Sequence, residues 1–272
     1  MSDLNVNRRH WDALADVHAQ GTTAIYDAAA LVSGRRQLGD AEAAAVRAAV
    51  GDAAGRDVLH VQCHLAYDGI VLARRGARVT GVDFSPRALA GARKLAERAG
   101  VALETVQAEA TALPASLHGR FDLAYATIGV LSWIADVDAW MRSVAATLRP
   151  GGALALVEIH PIYEMLESVA PLRLDFPYAF DGPRRFDEDG SYADQDASIG
   201  ATEQIAYAHA LGETVTAAIR AGLAIELLQE HLDCDHDPRG DLLPADDDGR
   251  HRLRIDGEVL PVLFTLVARR PG

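Results

Sequence analysis

Asp83 closes an apolar stretch (VTGVD) and stands about 20 residues beyond the turn QCHLAYDG. An acid at that distance from a strand–turn–helix is placed to accept both hydroxyls of a ribose. The turn itself has no G-x-G-x-x-G pattern, and Gln62, His64 and Ala66 stand where its glycines would be. A pyrophosphate needs bare backbone at very short range, and side chains at Gln62 and His64 would obstruct it. NAD, FAD and ATP are therefore poor fits, whereas a nucleoside without a diphosphate still fits.

Three histidines are candidates for moving a proton: His160 in EIHP, His64 in the turn, and His209 in YAHALGE. A neutral imidazole at the ligand end of a sheet takes a proton from an acceptor hydroxyl or amine. His160 is the leading choice, because it directly follows a strand. His231, Cys234 and His236 lie close together in HLDCDH, between aspartates. A borderline metal accepts such ligands, but no second paired cluster exists and no metal is expected. Two isolated cysteines do not make a disulfide framework, and Cys63 reads as a small buried hydrophobe.

These residues need elements to position them. Apolar stretches at 58–62, 77–82, 103–108, 121–126 and 153–159 read as strands alternating with helices. Ser85-Pro86 is a helix start, with a side-chain cap and a proline that loses no needed donor. Two more helices precede the first strand, one carrying Trp11, Leu14, Ala15 and His18 on one face and one running over 40–50. A helix over 212–221 and strands over 224–231 and 261–268 follow later. Strands and helices alternating in this way imply an α/β fold, a doubly wound parallel sheet that binds ligands beyond its carboxyl ends. The stretch 161–204, rich in Asp, Gly, Pro and aromatics, has no sustained period and reads as an inserted cap.

Composition narrows the function classes. The 272 residues carry 26 Lys+Arg against 39 Asp+Glu, a formal net charge of -13, with 49% hydrophobic residues. That balance argues against nucleic acid and anionic membrane as partners. The beginning, MSDLNVNRRHWDAL, lacks the apolar run of a signal peptide. A cytoplasmic location is expected, and the Ala- and Arg-rich, Lys-poor composition points to a bacterial source. Much of the acidic excess falls at 181–196 and 233–248. Both stretches are expected at the pocket mouth, where a negative field favours a cationic cofactor and a cationic acceptor.

Taken in order, VLHVQCH, VTGVDFSPRAL, EATALP, FDLAYATIGVLSWI and LRPGGALALVEIHP resemble the class I S-adenosylmethionine-dependent methyltransferases. The Gln-Cys-His form of the first motif resembles a bacterial branch acting on small molecules, and His60 stands where that motif usually has Asp. The resemblance implies a Rossmann-like seven-stranded sheet in a single domain. Within it, 1–55 would be an N-terminal helical cap, 56–160 the cofactor core, 161–204 the substrate cap, and 205–272 the rest of the sheet, its last strand antiparallel at or near an edge.

The resemblance also implies site roles. Asp83 would hold the ribose, Phe84 would pack on adenine, and Glu109 with the Ala110 backbone would meet the adenine amino group. The backbone of Gln62, Cys63 and His64 would flank the methionine part, with the Gln62 amide or the His64 ring bonding its polar end. Ala126 and Thr127 would lie near the sulfonium, and Trp11, Tyr26 or both would close over the cofactor. The implied activity is methyl transfer from S-adenosylmethionine to a small organic acceptor, with S-adenosylhomocysteine as product. Two alternatives stay open: a non-methylating cyclisation or rearrangement on the same fold, and a non-catalytic ligand-binding relative. Oxygen, nitrogen, sulfur and carbon acceptors are all open, and so are monomer and homodimer. The cap aromatics suggest a flat or apolar acceptor, or a small core of the cap's own.

Overall fold

A computed structural model describes residues 2–194, 196–240 and 242–272. Its centre is a seven-stranded sheet of β1 (Asp57–Val61), β2 (Arg78–Asp83), β3 (Glu104–Gln107), β4 (Phe121–Ala126), β5 (Leu148–Ile159), β6 (Ala224–His231) and β7 (Leu263–Arg269). The spatial order is β6-β7-β5-β4-β1-β2-β3. The pairings among β1 to β5 are parallel, and β7 runs antiparallel to both β5 and β6. The strand order reverses between β1 and β4, which puts the switch point at the carboxyl ends of those two strands.

Both faces of the sheet are covered, so its central strands are near-continuous apolar runs. Alternation still sorts them, because successive side chains point to opposite faces. Ala153, Ala155 and Val157 of β5 pack on the face covered by α3 (Asp40–Val50) and α4 (Tyr67–Arg74). Leu154 and Leu156 meet the opposite face, under α6 (Val137–Thr147) and α7 (Leu211–Arg220). Before these come α1 (Asp3–His18) and α2 (Ala28–Ser33), and α5 (Pro86–Ala99) follows β2. The Ser85 cap is formed, its hydroxyl accepting the Ala88 N–H at 3.0 Å, and Gly100 ends α5 in the left-handed region.

The cap holds a one-turn helix (Pro161–Glu164), a hairpin of Leu166–Val169 with Leu172–Leu174, and a second of Arg184–Asp187 with Glu203–Ala206. Side chains of α1 tie it down. The Asn7 amide acts as a strand partner, donating to the Ile205 carbonyl and accepting its N–H, both at 2.8 Å. His10 Nδ1 lies 2.9 Å from the Ala201 carbonyl. A further hairpin, Leu253–Ile255 with Glu258–Leu260, turns on Asp256-Gly257, both at positive φ. That is the turn geometry Asp-Gly favours. β5 begins at Leu148 rather than at Ala153, because Arg149 to Gly152 are absorbed as an irregularity in the pairing with β4.

Candidate active site

The turn after β1 takes three left-handed residues without a glycine: Gln62 (φ 51°), His64 (φ 48°) and Ala66 (φ 55°). Each costs an L-residue roughly 1–2 kcal/mol, so tertiary bonds must hold them. The Gln62 amide donates to the Val130 carbonyl at 3.0 Å and accepts the Trp140 indole N–H at 2.7 Å. The His64 N–H donates to Asp83 Oδ2 at 2.8 Å. The His64 ring meets His18, Nε2 to Nδ1 at 2.8 Å, and His18 Nε2 meets the Ser191 hydroxyl of the cap at 2.7 Å. The Gln62 amide and the His64 Nε2, expected to bond a ligand, are thus engaged in holding the turn.

Asp83, 5% exposed, also accepts the Ser85 N–H on Oδ1 at 2.8 Å. Burial outweighs these N–H bonds and raises its carboxyl to about 6. One charge-bearing group thereby pins the first turn to the start of α5 while still lining the main cavity. Phe84, half-buried, lines the same cavity, as do Cys63, Glu109 and Ala110. Thr127 does too, its hydroxyl donating to Asp68 Oδ2 at 3.1 Å. Ala126 is fully buried and lies outside the lining residues. Trp11 and Tyr26 both face the cavity. Trp11 sits edge-on to His64 and to Trp133, each at 5.2 Å between ring centroids. Tyr26 stacks on His18 at 4.2 Å, and its hydroxyl contacts that of Tyr192 in the cap.

The cavity encloses ≈ 980 Å³, at the top of the range of ~300–1,000 Å³ usual for small-molecule sites. It runs from the carboxyl ends of β1, β2 and β4 to the underside of the cap, where Phe176, Phe186 and Tyr192 face it. Phe180 is 46% exposed and stacks on Tyr207 and His209 instead.

His160 does not reach this space. Its Nδ1 accepts the Ile162 N–H at 3.2 Å as the cap of the one-turn helix, and its Nε2 pairs with Glu230 at 2.9 Å. An imidazole with both nitrogens engaged behind β5 is a structural group rather than a base for the cavity. His209 is also spent, its Nε2 on the Ile134 carbonyl at 2.6 Å. His231 bonds Thr265 at 2.7 Å, and among the described residues no three His, Cys, Asp or Glu side chains are grouped to hold a metal.

The acidic late loop does not face the mouth as a bare field. Asp233, Asp235, Asp246 and Asp248 are paired with Arg250, Arg252 and Arg254. Within the acidic stretch 181–196, Glu188 is the one carboxylate lining the cavity, while Asp181 pairs with Arg184.

The acids that matter come from elsewhere. Glu42, 7% exposed, lies in the first turn of α3 and lines the cavity, its carboxylate beside Gly39 with only its own backbone N–H as donor. Burial, reinforced by the Asp68 charge, raises it to about 7. His60, 4% exposed at the end of β1, also lines the cavity, and neither of its ring nitrogens is hydrogen-bonded among the described residues. Burial lowers it to about 4, so it is a neutral acceptor. Asp68, in the first turn of α4, receives the hydroxyls of Tyr125 and Thr127 on one oxygen, both at 3.1 Å. Glu42 carries a signal visible in the sequence: it shares a buried helix stripe with Ala45, Val46 and Ala49, while its place in the first turn of α3 sets it against the free N–H groups of the helix start.

Residues 58–152 match the family described as a methyltransferase domain. The demethylmenaquinone methyltransferase of Thermus thermophilus is 37% identical over 86 residues, 32% of this chain and 38% of that one. The ubiquinone biosynthesis O-methyltransferase of Ralstonia nicotianae is 34% identical over 107 residues, 39% of this chain and 44% of that one. The chain thus spans less than half the length of these curated relatives. An S-adenosylmethionine-dependent methyltransferase from Mesorhizobium loti is 25% identical in sequence, with a TM-score of 0.58 over 85% of this chain and 98% of the other. The [4+2]-cyclase SpnF shares the fold at 16% identity, with a TM-score of 0.52 over 85% and 79% of the two chains.

Proposed function

Because the chain carries a class I S-adenosylmethionine-dependent methyltransferase core, we propose that it transfers a methyl group from S-adenosylmethionine to a small organic acceptor held beneath the cap. The residues present fit that cofactor. Asp83 is a buried carboxylate that opens on the cavity while its N–H bonds leave lone pairs free for two ribose hydroxyls. Phe84 offers an adenine-sized apolar surface that is not consumed by the core. Glu109 accepts from the adenine amino group, with the Ala110 backbone beside it. The backbone of Gln62, Cys63 and His64 flanks the methionine part, with Thr127 across from it. Trp11 and Tyr26 cover the ligand from the N-terminal segment.

When bound, the cofactor supplies a sulfonium methyl, an electrophile whose departure leaves a neutral sulfide. The protein's own task is then alignment and exclusion of water. The α1–cap bonds of Asn7, His10 and His18 serve that task by sealing the cavity. Its volume leaves room for an acceptor beside a nucleoside-sized ligand.

The single observation that carries this reading is the buried Asp83 at the end of β2, facing the cavity across a turn that keeps glycine geometry without glycines. Calorimetry with S-adenosylhomocysteine tests it. The wild-type protein should bind, and Asp83→Ala should bind at least ~10-fold more weakly, the loss expected for one or two charge-assisted hydrogen bonds. No binding by the wild type overturns the cofactor assignment, and unchanged affinity in the variant overturns the ribose site.

A further inference from the structure

The wall of the cavity is predominantly acidic. Glu42, Asp68, Glu164, Glu167 and Asp175 line it besides Asp83, with Arg36 and Arg239 as the arginines. Arg239 is held in place by one guanidinium nitrogen, Nη1, which donates to the carbonyls of Tyr163 at 2.7 Å and Leu166 at 2.6 Å, and its charge acts on Glu164. Two side chains in this chamber are more than nine-tenths buried and carry a polar atom with no hydrogen-bond partner among the described residues, His60 at Nδ1 and Tyr67 at its hydroxyl, and the buried Glu42 carboxylate has only its own backbone N–H. A buried carboxylate with one donor for its two oxygens remains under-satisfied, and a fold keeps such a group where a ligand supplies further donors. The donor that satisfies Glu42 and the free oxygen of Asp68 together is a cation with several N–H groups.

We propose that the acceptor is an amine that enters as its ammonium form, is held between Glu42, Asp68 and His60, and gives its N–H proton to Glu42. This rests on the methyl-transfer reading and narrows it to nitrogen. The step balances. The ammonium N–H bond breaks and its proton moves to a Glu42 oxygen. The freed nitrogen lone pair forms the new N–C bond to the methyl, and the C–S bonding pair stays on sulfur.

A hydroxyl acceptor fits the chamber worse. Removing its proton would create an anion beside Asp68, a like-charge arrangement. An incoming ammonium reverses this, since it stabilises the ionised carboxylates and is partly neutralised when the proton moves. The groups that face Glu42 support the same polarity. Asp68 and Asp40 oppose its ionisation, its own backbone N–H and Arg36 favour it, and Tyr125, His60 and His236 are uncharged near neutral pH. Phe176, Phe186 and Trp133, also on the wall, provide an apolar seat for the body of the amine.

The experiment uses isosteric pairs on the full chain saturated with S-adenosylhomocysteine: benzylamine against benzyl alcohol, and 2-phenylethylamine against 2-phenylethanol, by calorimetry at pH 6 to 9. The amine of at least one pair should bind about tenfold tighter than its alcohol. Amine binding should be linked to proton exchange in buffers of different ionisation enthalpy. Glu42→Gln should erase the preference and the proton exchange, and Asp68→Asn should reduce the preference without removing the exchange. Equal affinity within the pairs, tighter alcohols, no binding of any of the four, or a preference that survives Glu42→Gln overturns the proposal. Circular dichroism checks the fold of each variant, and Asp68→Asn carries the test alone if Glu42→Gln does not fold. The preceding titration with S-adenosylhomocysteine reads the methyl-transfer reading separately, because the pairs can be scored on the unsaturated protein if it fails.

Discussion

Removing the charge of Glu42 should stabilise the protein in a way that depends on pH. The folded carboxyl ionises at about 7, against 4.5 for the same group in the open. The folded state therefore binds the proton more tightly. Below pH 4.5 both states are protonated and the group contributes nothing. Between 4.5 and 7 the unfolded chain has lost the proton and the folded chain keeps it, so stability falls by about 1.4 kcal/mol per pH unit. Above pH 7 the loss levels off at about 3 kcal/mol. Asp83 and Glu158 titrate in the same sense, but they are present in both proteins and cancel in the difference. Glu42→Gln keeps the shape and cannot ionise. Its advantage over wild type should be near zero at pH 4.5 and grow to about 3 kcal/mol at pH 8. For a chain of this size that is a rise in Tm of roughly 5–10 °C. Differential scanning calorimetry of both proteins across pH 5 to 8 measures it. A Tm difference that does not change with pH, or a wild type more stable than the variant at pH 8, would refute the claim that burial of Glu42 outweighs its one N–H bond.

Two further outcomes follow from contacts around the first turn. A Cβ added at Gly81 would lie 2.9 Å from Cys63 Sγ, so Gly81→Ala should cost about 1–3 kcal/mol by overpacking. Adding Cys63→Ala should recover part of that loss in urea unfolding. His18, fully buried, bridges His64 and Ser191. His18→Ala leaves His64 Nε2 without its partner, opens a cavity at a fully buried position and should cost about 2–4 kcal/mol. Limited proteolysis should then cut within 161–206 faster than in wild type, and unchanged protection would show that the cap is held elsewhere.

The sheet was legible because its residues answer to local rules. The stretch 121–126 is a strand from end to end, and Ser85-Pro86 opens α5 through a side chain three residues from its partner. The site was legible in part. Asp83 follows from the spacing of two strands, and the left-handed backbone at Gln62, His64 and Ala66 follows from where glycines would stand. The direction of the Gln62 side chain does not, because its partners Val130 and Trp140 lie 68 and 78 residues away. His160 misled for a local reason. His-Pro is also a helix cap followed by a first-turn proline, and here it is used as one. The charge of the late loop misled because aspartates were counted without the alternate arginines 250, 252 and 254 just beyond them. Glu42 and Asp256-Gly257 show the reverse case. An acid on an apolar stripe and a hairpin turn pair were both written in the sequence.

The position of β7 has a bearing on how the chain is made. Residues 263–269 leave the ribosome after all the other strands of the sheet, yet they lie between β5 and β6 with a hydrogen-bonded neighbour on each side. Until then β5 presents an open edge of buried apolar residues, and β6 has no partner in the sheet. Folding during synthesis can therefore proceed from β1 to β5 but cannot close the sheet. The last step is insertion of one central strand, a contact of high sequence separation that forms slowly and leaves a sticky edge exposed while it waits.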